Sequence, residues 1–116
     1  MWWTKERDVV ERLCRFPMDF RGSRKTRREF VEAAGILKHP SALTVESLLP
    51  YLKEHPELVG AWMAWSAGKR VSSGWYFIPS RVGGYEVGYY PGGERLQFNE
   101  PEPACADFIV RELGPP

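Results

Sequence analysis

Four acidic residues near the C-terminus, Glu100, Glu102, Asp107 and Glu112, are the first candidates for chemistry, because paired carboxylates can divide general acid and base work, as in glycoside hydrolysis. Acids are also ordinary at the start of a helix, where they meet the positive end of its dipole, and no catalytic role is expected of them. His39 and His55 each precede a proline, a setting that favours extended geometry and helix entry, and neither has a companion at metal-ligand spacing. Cys14 and Cys105 form no Cys-x-x-Cys and sit among apolar neighbours, so two buried free thiols are expected. Ser66, Ser72, Ser73 and Ser80 lack the context of a nucleophile elbow, and the glycines of "GGYEVG" are read as turn residues and not as a phosphate cradle. The expectation is therefore a protein that is not an enzyme and needs no cofactor or metal.

Binding chemistry has more candidates. "RGSRKTRR" carries Arg21, Arg24, Lys25, Arg27 and Arg28 without an acid. Positive charge at a helix start opposes the dipole, so stability alone does not call for it, and a partner does. Five neutralised phosphates would give a log–log salt slope of about −4.5 on duplex DNA. No aromatic platform or recognition helix accompanies the stretch, and a net charge of +1 gives no global pull toward nucleic acid, so an acidic protein partner fits equally. Further candidates are Lys69 and Arg70, with Ser72 and Ser73, on a turn between two aromatic elements; Tyr90 and Arg95, with Tyr76 and Gln97, on a wet sheet face; and the acidic patch of Glu100, Glu102 and Asp107. The sequence leaves open which of these surfaces binds.

The elements that must hold these residues follow from periodicity. A first helix, capped by Thr4, runs to about Arg15 with Val9, Val10, Leu13 and Phe16 on one stripe, and Pro17 ends it. Thr26-Arg-Arg-Glu29 is a capping box, and Gly35 a C-cap. Val45, Leu48, Leu49 and Leu52 mark another helix, in which Pro50 demands either a cap at Ser47 or a kink. His55, Pro56 and Glu57 open a helix that Gly68 closes, with Trp62, Trp65 and Leu58 on one side. From Gly74 the period becomes two: "GWYFIP", "YEVGYY" and "RLQFN", split by turn signals, predict a three-stranded antiparallel meander over 74–99. A last helix over 102–113 turns Cys105, Phe108, Ile109 and Leu113 inward. The 116 residues thus read as one α+β domain, mainly helical over 1–68, with N-terminal helices, the β-meander and a C-terminal helix packed on the sheet. Trp62 and Trp65 on the helix and Trp75 and Phe77 on the strand are expected to meet as core.

The order "TVESLLPYLKEHPEL", "AWMAWSAGKRVSSGWYF", "YEVGYY" and "ACADFIVREL", residues 44 to 113, resembles small bacterial immunity proteins encoded beside polymorphic or contact-dependent toxins. The resemblance implies a cytoplasmic, non-enzymatic protein that binds a cognate toxin domain and blocks its active site, commonly through charge complementarity. It transfers no site residue. No apolar run approaches membrane-spanning length and the N-terminus lacks a basic and then apolar leader, so the cytoplasm is the expected compartment; homodimerisation through the outer sheet face or an edge strand stays open.

Overall fold

The computed structural model describes residues 5–69 and 73–115; the expected Thr4 cap and the candidates Arg70 and Ser72 lie outside them. Among the described residues six α-helices and one sheet follow in the order α1 (Glu6–Cys14), α2 (Phe16–Asp19), α3 (Arg27–Ala34), α4 (Val45–Glu54), α5 (Glu57–Gly68), β1 (Gly74–Pro79), β2 (Tyr85–Tyr90), β3 (Arg95–Phe98) and α6 (Pro101–Leu113). The fold is α+β, with helices before the meander and a C-terminal helix packed on it.

The helix starts are set by local chemistry. The Thr26 box closes in both directions, with the Glu29 amide donating to the Thr26 hydroxyl at 3.1 Å and the Thr26 amide to the Glu29 carboxylate at 2.8 Å. Gly35 ends α3 at φ 110°, a left-handed conformation suited to glycine. Two expectations need correction. Pro17 does not simply stop α1: it sits in the first turn of α2, where its missing N–H costs nothing, and the stretch beyond it is partly helical, with a 3-10 turn over Phe20–Gly22. Of the two alternatives at Pro50, the cap at Ser47 is the one overturned: Thr44 is the cap, its hydroxyl accepting from the Ser47 amide at 3.2 Å, and Pro50 lies in the interior of α4. Pro50 and Glu46, four residues before it, are both exposed, so water can take the carbonyl that the proline leaves without a helical donor. The cap of α5 also moves by one residue, to Pro56.

The strands pair in the order β1-β2-β3, antiparallel, with Phe77 opposite Val87 and Val87 opposite Leu96. Alternation turns Trp75, Phe77, Tyr85, Val87, Leu96 and Phe98 to the inner face, which α5 and α6 cover; α6 touches every strand and also α3, α4 and α5. The core is one cluster. At its centre the fully buried Trp62 stacks on Phe16 with ring centroids 5.6 Å apart, meets Phe108 edge-on at 5.8 Å and donates Nε1–H to the Cys14 carbonyl at 2.8 Å. Phe108 in turn lies 5.8 Å from Phe77. Trp62 and Phe77 are thus both core but are joined through Phe108 of α6, while Trp65 and Trp75 are half-buried against that core, Trp65 beside Phe16 and Trp75 beside Tyr89; burying one indole is worth roughly 5 kcal/mol at about 25 cal/mol per Å².

Candidate functional site

The residues that alternation turns outward build the site. Tyr76 and Ile78 of β1, Glu86, Gly88 and Tyr90 of β2, and Arg95 and Gln97 of β3 share the outer sheet face. Gly88 stands opposite Tyr76, and a Cβ there would run into the Tyr76 phenol and come within 2.9 Å of the Glu94 carbonyl oxygen. The bare backbone therefore lets the Tyr76 ring lie flat across the sheet and reach Glu86, to whose carboxylate its hydroxyl donates. Glu86 also accepts from the Gln97 amide at 2.8 Å and faces Arg95 Nε at 3.4 Å.

The hydrogen bond from Tyr76, then that from Gln97, holds the Glu86 carboxyl below the usual carboxylate range. Burial and the bond to Glu86 push the Tyr76 phenol up, while Tyr76 and the charge of Glu86 strengthen the hold of Arg95 on its proton. None of the three changes protonation near neutral pH, so the cluster presents fixed charge on a fixed ring. Beside it the surface is hollowed to about 430 Å³, lined by Lys69, Trp75, Tyr76, Ile78, Tyr90 and Arg95 among others. Tyr90 is 63% exposed and Ile78 41%. The arrangement offers large, rigid apolar surface next to a cation, which is the composition of a protein-docking hot spot.

The other candidates are dispersed. Arg21, Arg24 and Lys25 are exposed, and none forms an ion pair within 4 Å among the described residues. Arg28 pairs with Glu32 at 3.1 Å on its own helix, and Arg27 reaches Glu112 at 3.3 Å. Lys69 points inward: only 13% exposed, it meets Glu112 at 2.9 Å and donates to the Trp75 carbonyl. The carboxylates near α6 do not act as a group. Glu100 is exposed at the helix start, while Asp107 is bound by Arg111 Nε at 2.8 Å. Glu112 lies twelve positions beyond Glu100, about 18 Å along the helix. Glu102 is half-buried in the first turn.

Two side-chain networks are absent from the sequence reading, although it names several of their members. The first is Glu112 itself, 3% exposed, which accepts from Trp65 Nε1 at 2.8 Å in addition to Lys69 and Arg27. Its donors come from positions 27, 65 and 69, so no local spacing announces it. The second is the Tyr76–Glu86–Arg95 network, for which a signal exists. Gly88 falls inside the strand that "YEVGYY" predicts, where glycine marks close approach of another group, so a turn does not explain it; Gly83 and Gly84, at φ 100° and 73°, are true turn residues. Cys14 and Cys105 are free and buried. His55 packs against Tyr51 with tilted rings whose centroids are 4.3 Å apart, and among the described residues no three His, Cys, Asp or Glu side chains gather as a metal site requires. No helix among the described residues is long and apolar enough to cross a membrane. No protein-family model matches the chain, and no curated protein or solved structure matches it.

Proposed function

We propose that the chain is a non-enzymatic protein-binding module that docks its partner on the outer sheet face, and that it acts as an immunity-type inhibitor of a bacterial toxin. The observation that carries the docking face is the exposed pair Tyr90 and Ile78 beside the rigid Tyr76–Glu86–Arg95 network. Rigid aromatic anchors bind at low entropic cost, and a cation on a fixed scaffold selects an acidic counterpart. The inhibitor reading rests on the texture of residues 44–113. Expression of the product of the neighbouring gene, alone and together with this chain, tests it: growth arrest that the chain relieves supports the reading, and arrest that it leaves unchanged counts against it.

A second reading is favoured by one observation: among the described residues Arg21, Arg24 and Lys25 form no ion pair. With Arg27 and Arg28 engaged within the fold, a nucleic-acid contact would use these three cations, for a salt slope of about −2.7 on duplex DNA. Absence of binding to DNA or RNA at low salt removes this reading.

A further inference from the structure

The two edges of the sheet are treated differently. At β1 the outward-pointing backbone is closed by α5: the Phe77 amide donates to the Ser66 hydroxyl at 2.8 Å, and Lys69 Nζ donates to the Trp75 carbonyl. Among the described residues no side chain bonds the outward backbone of β3 in this way. The strand ends the sheet, and its main packing neighbours are β2 and α6.

The register says which groups are left bare. The Tyr89 amide donates to the Glu94 carbonyl at 3.0 Å, so the alternation of an antiparallel ladder directs the backbone of Leu96 and Phe98 toward β2 and that of Arg95 and Gln97 away from the sheet. Both residues are exposed. An edge of this kind is a template for a further strand.

We infer that two copies of the chain pair through β3, antiparallel about a twofold axis at Leu96, and join their sheets into one. In that register Arg95 of each copy faces Gln97 of the other, and the N–H and C=O of all of these residues find partners across the axis. The side chains agree. The Gln97 amide nitrogen is already given to Glu86, which leaves its side-chain oxygen as an acceptor, and the Arg95 guanidinium, which faces Glu86 with Nε at 3.4 Å and bonds Tyr76, has five N–H groups and so keeps donors to spare. On the inner face Leu96, half-buried at the rim, meets its own copy. A twofold at Arg95 would instead oppose two guanidinium groups, and like charges directly opposite destabilise a pair. Closure of the β1 edge fixes the size of the assembly: head-to-tail pairing of β1 with β3, which would run on as a fibre, is blocked by Ser66 and Lys69, so association stops at the dimer. The pairing leaves Tyr76, Ile78 and Tyr90 uncovered but engages Arg95, so it shares that one cation with the docking proposal while its backbone ladder does not depend on it.

Sedimentation velocity from micromolar to near-millimolar concentration should show the mass rise from 13.3 kDa toward twice that value. Gln97→Pro, which deletes an outward N–H, should remain monomeric, whereas Gln97→Ala should still dimerise. If Gln97→Pro fails to fold, amide exchange on the unmodified chain decides the matter: the Arg95 and Gln97 amides should slow by at least ~10-fold on dimerisation, while that of Leu96, already bonded to β2, should not change. A monomer at every concentration, or a dimer whose Arg95 and Gln97 amides exchange as in the monomer, overturns the inference.

Discussion

Lys69 and Glu112, 43 positions apart in the chain, meet at 2.9 Å in a nearly water-free joint between the end of α5 and the end of α6. Trp65 donates to the same carboxylate and Arg27 reaches it from α3, so a single buried charge ties three helices to the start of β1. Burial of an ion pair is not itself a source of stability, but removal of one partner leaves the other uncompensated. Lys69→Met should therefore lower stability by about 3 kcal/mol. Arg27→Met, whose guanidinium is half-exposed and screened, should cost less than about 1 kcal/mol. Urea unfolding of the two variants checks the contrast.

A similar argument applies on the outer sheet face, where the space above Gly88 belongs to the Tyr76 ring. Gly88→Ala should cost about 1–3 kcal/mol through overpacking and should displace the phenol from Glu86. A crystal structure or aromatic NMR shifts of the variant would report the displacement, and urea unfolding the cost.

Acid stability should depend on Tyr76. The folded state depresses the Glu86 pKa, first through the Tyr76 hydrogen bond, so the stability Glu86 contributes is complete above the ordinary carboxylate pKa of about 4.3 and is lost as pH falls through the lower folded value. Tyr76→Phe should raise the Glu86 pKa toward its ordinary value and flatten the fall in stability below that range. Carboxyl NMR titration together with unfolding at several pH values tests both parts.

The thiols should be silent in the native state. Burial pushes the Cys14 thiol up to about 12 and the Cys105 thiol higher still, with neither exposed. Reaction with a disulfide reagent at mildly alkaline pH should be at least ~100-fold slower than in denaturant, because labelling requires an opening of the core.

Much of this architecture was legible where the causes are local. The Thr26 capping box, the Gly35 C-cap and the change of period at Gly74 are each written in a few adjacent residues, and each appears in the fold. Alternation alone separated the inner face of Phe77 and Val87 from the outer face of Glu86, Arg95 and Gln97. Pro50 left two alternatives open because the cost of an interior proline falls when the orphaned carbonyl faces water, which depends on which side of α4 is exposed. The basic stretch read as one patch, yet Arg27 turns to a carboxylate 85 positions away while Arg24 and Lys25 do not. That division depends on where α6 crosses α3 and is not a property of the stretch. The same holds for Lys69, whose charge looked available on a turn and is spent inside the molecule.

The docking face is tested most directly by affinity recovery of the tagged chain from its native host with neighbouring genes co-expressed, comparing the unmodified chain with Tyr90→Ala and Arg24→Ala. A stoichiometric protein partner should be retained by the unmodified chain and by Arg24→Ala, and Tyr90→Ala should weaken its binding by at least ~10-fold, as expected for a hot-spot aromatic. Recovery of no partner, or of one held equally well by Tyr90→Ala, would contradict the assignment of the outer sheet face.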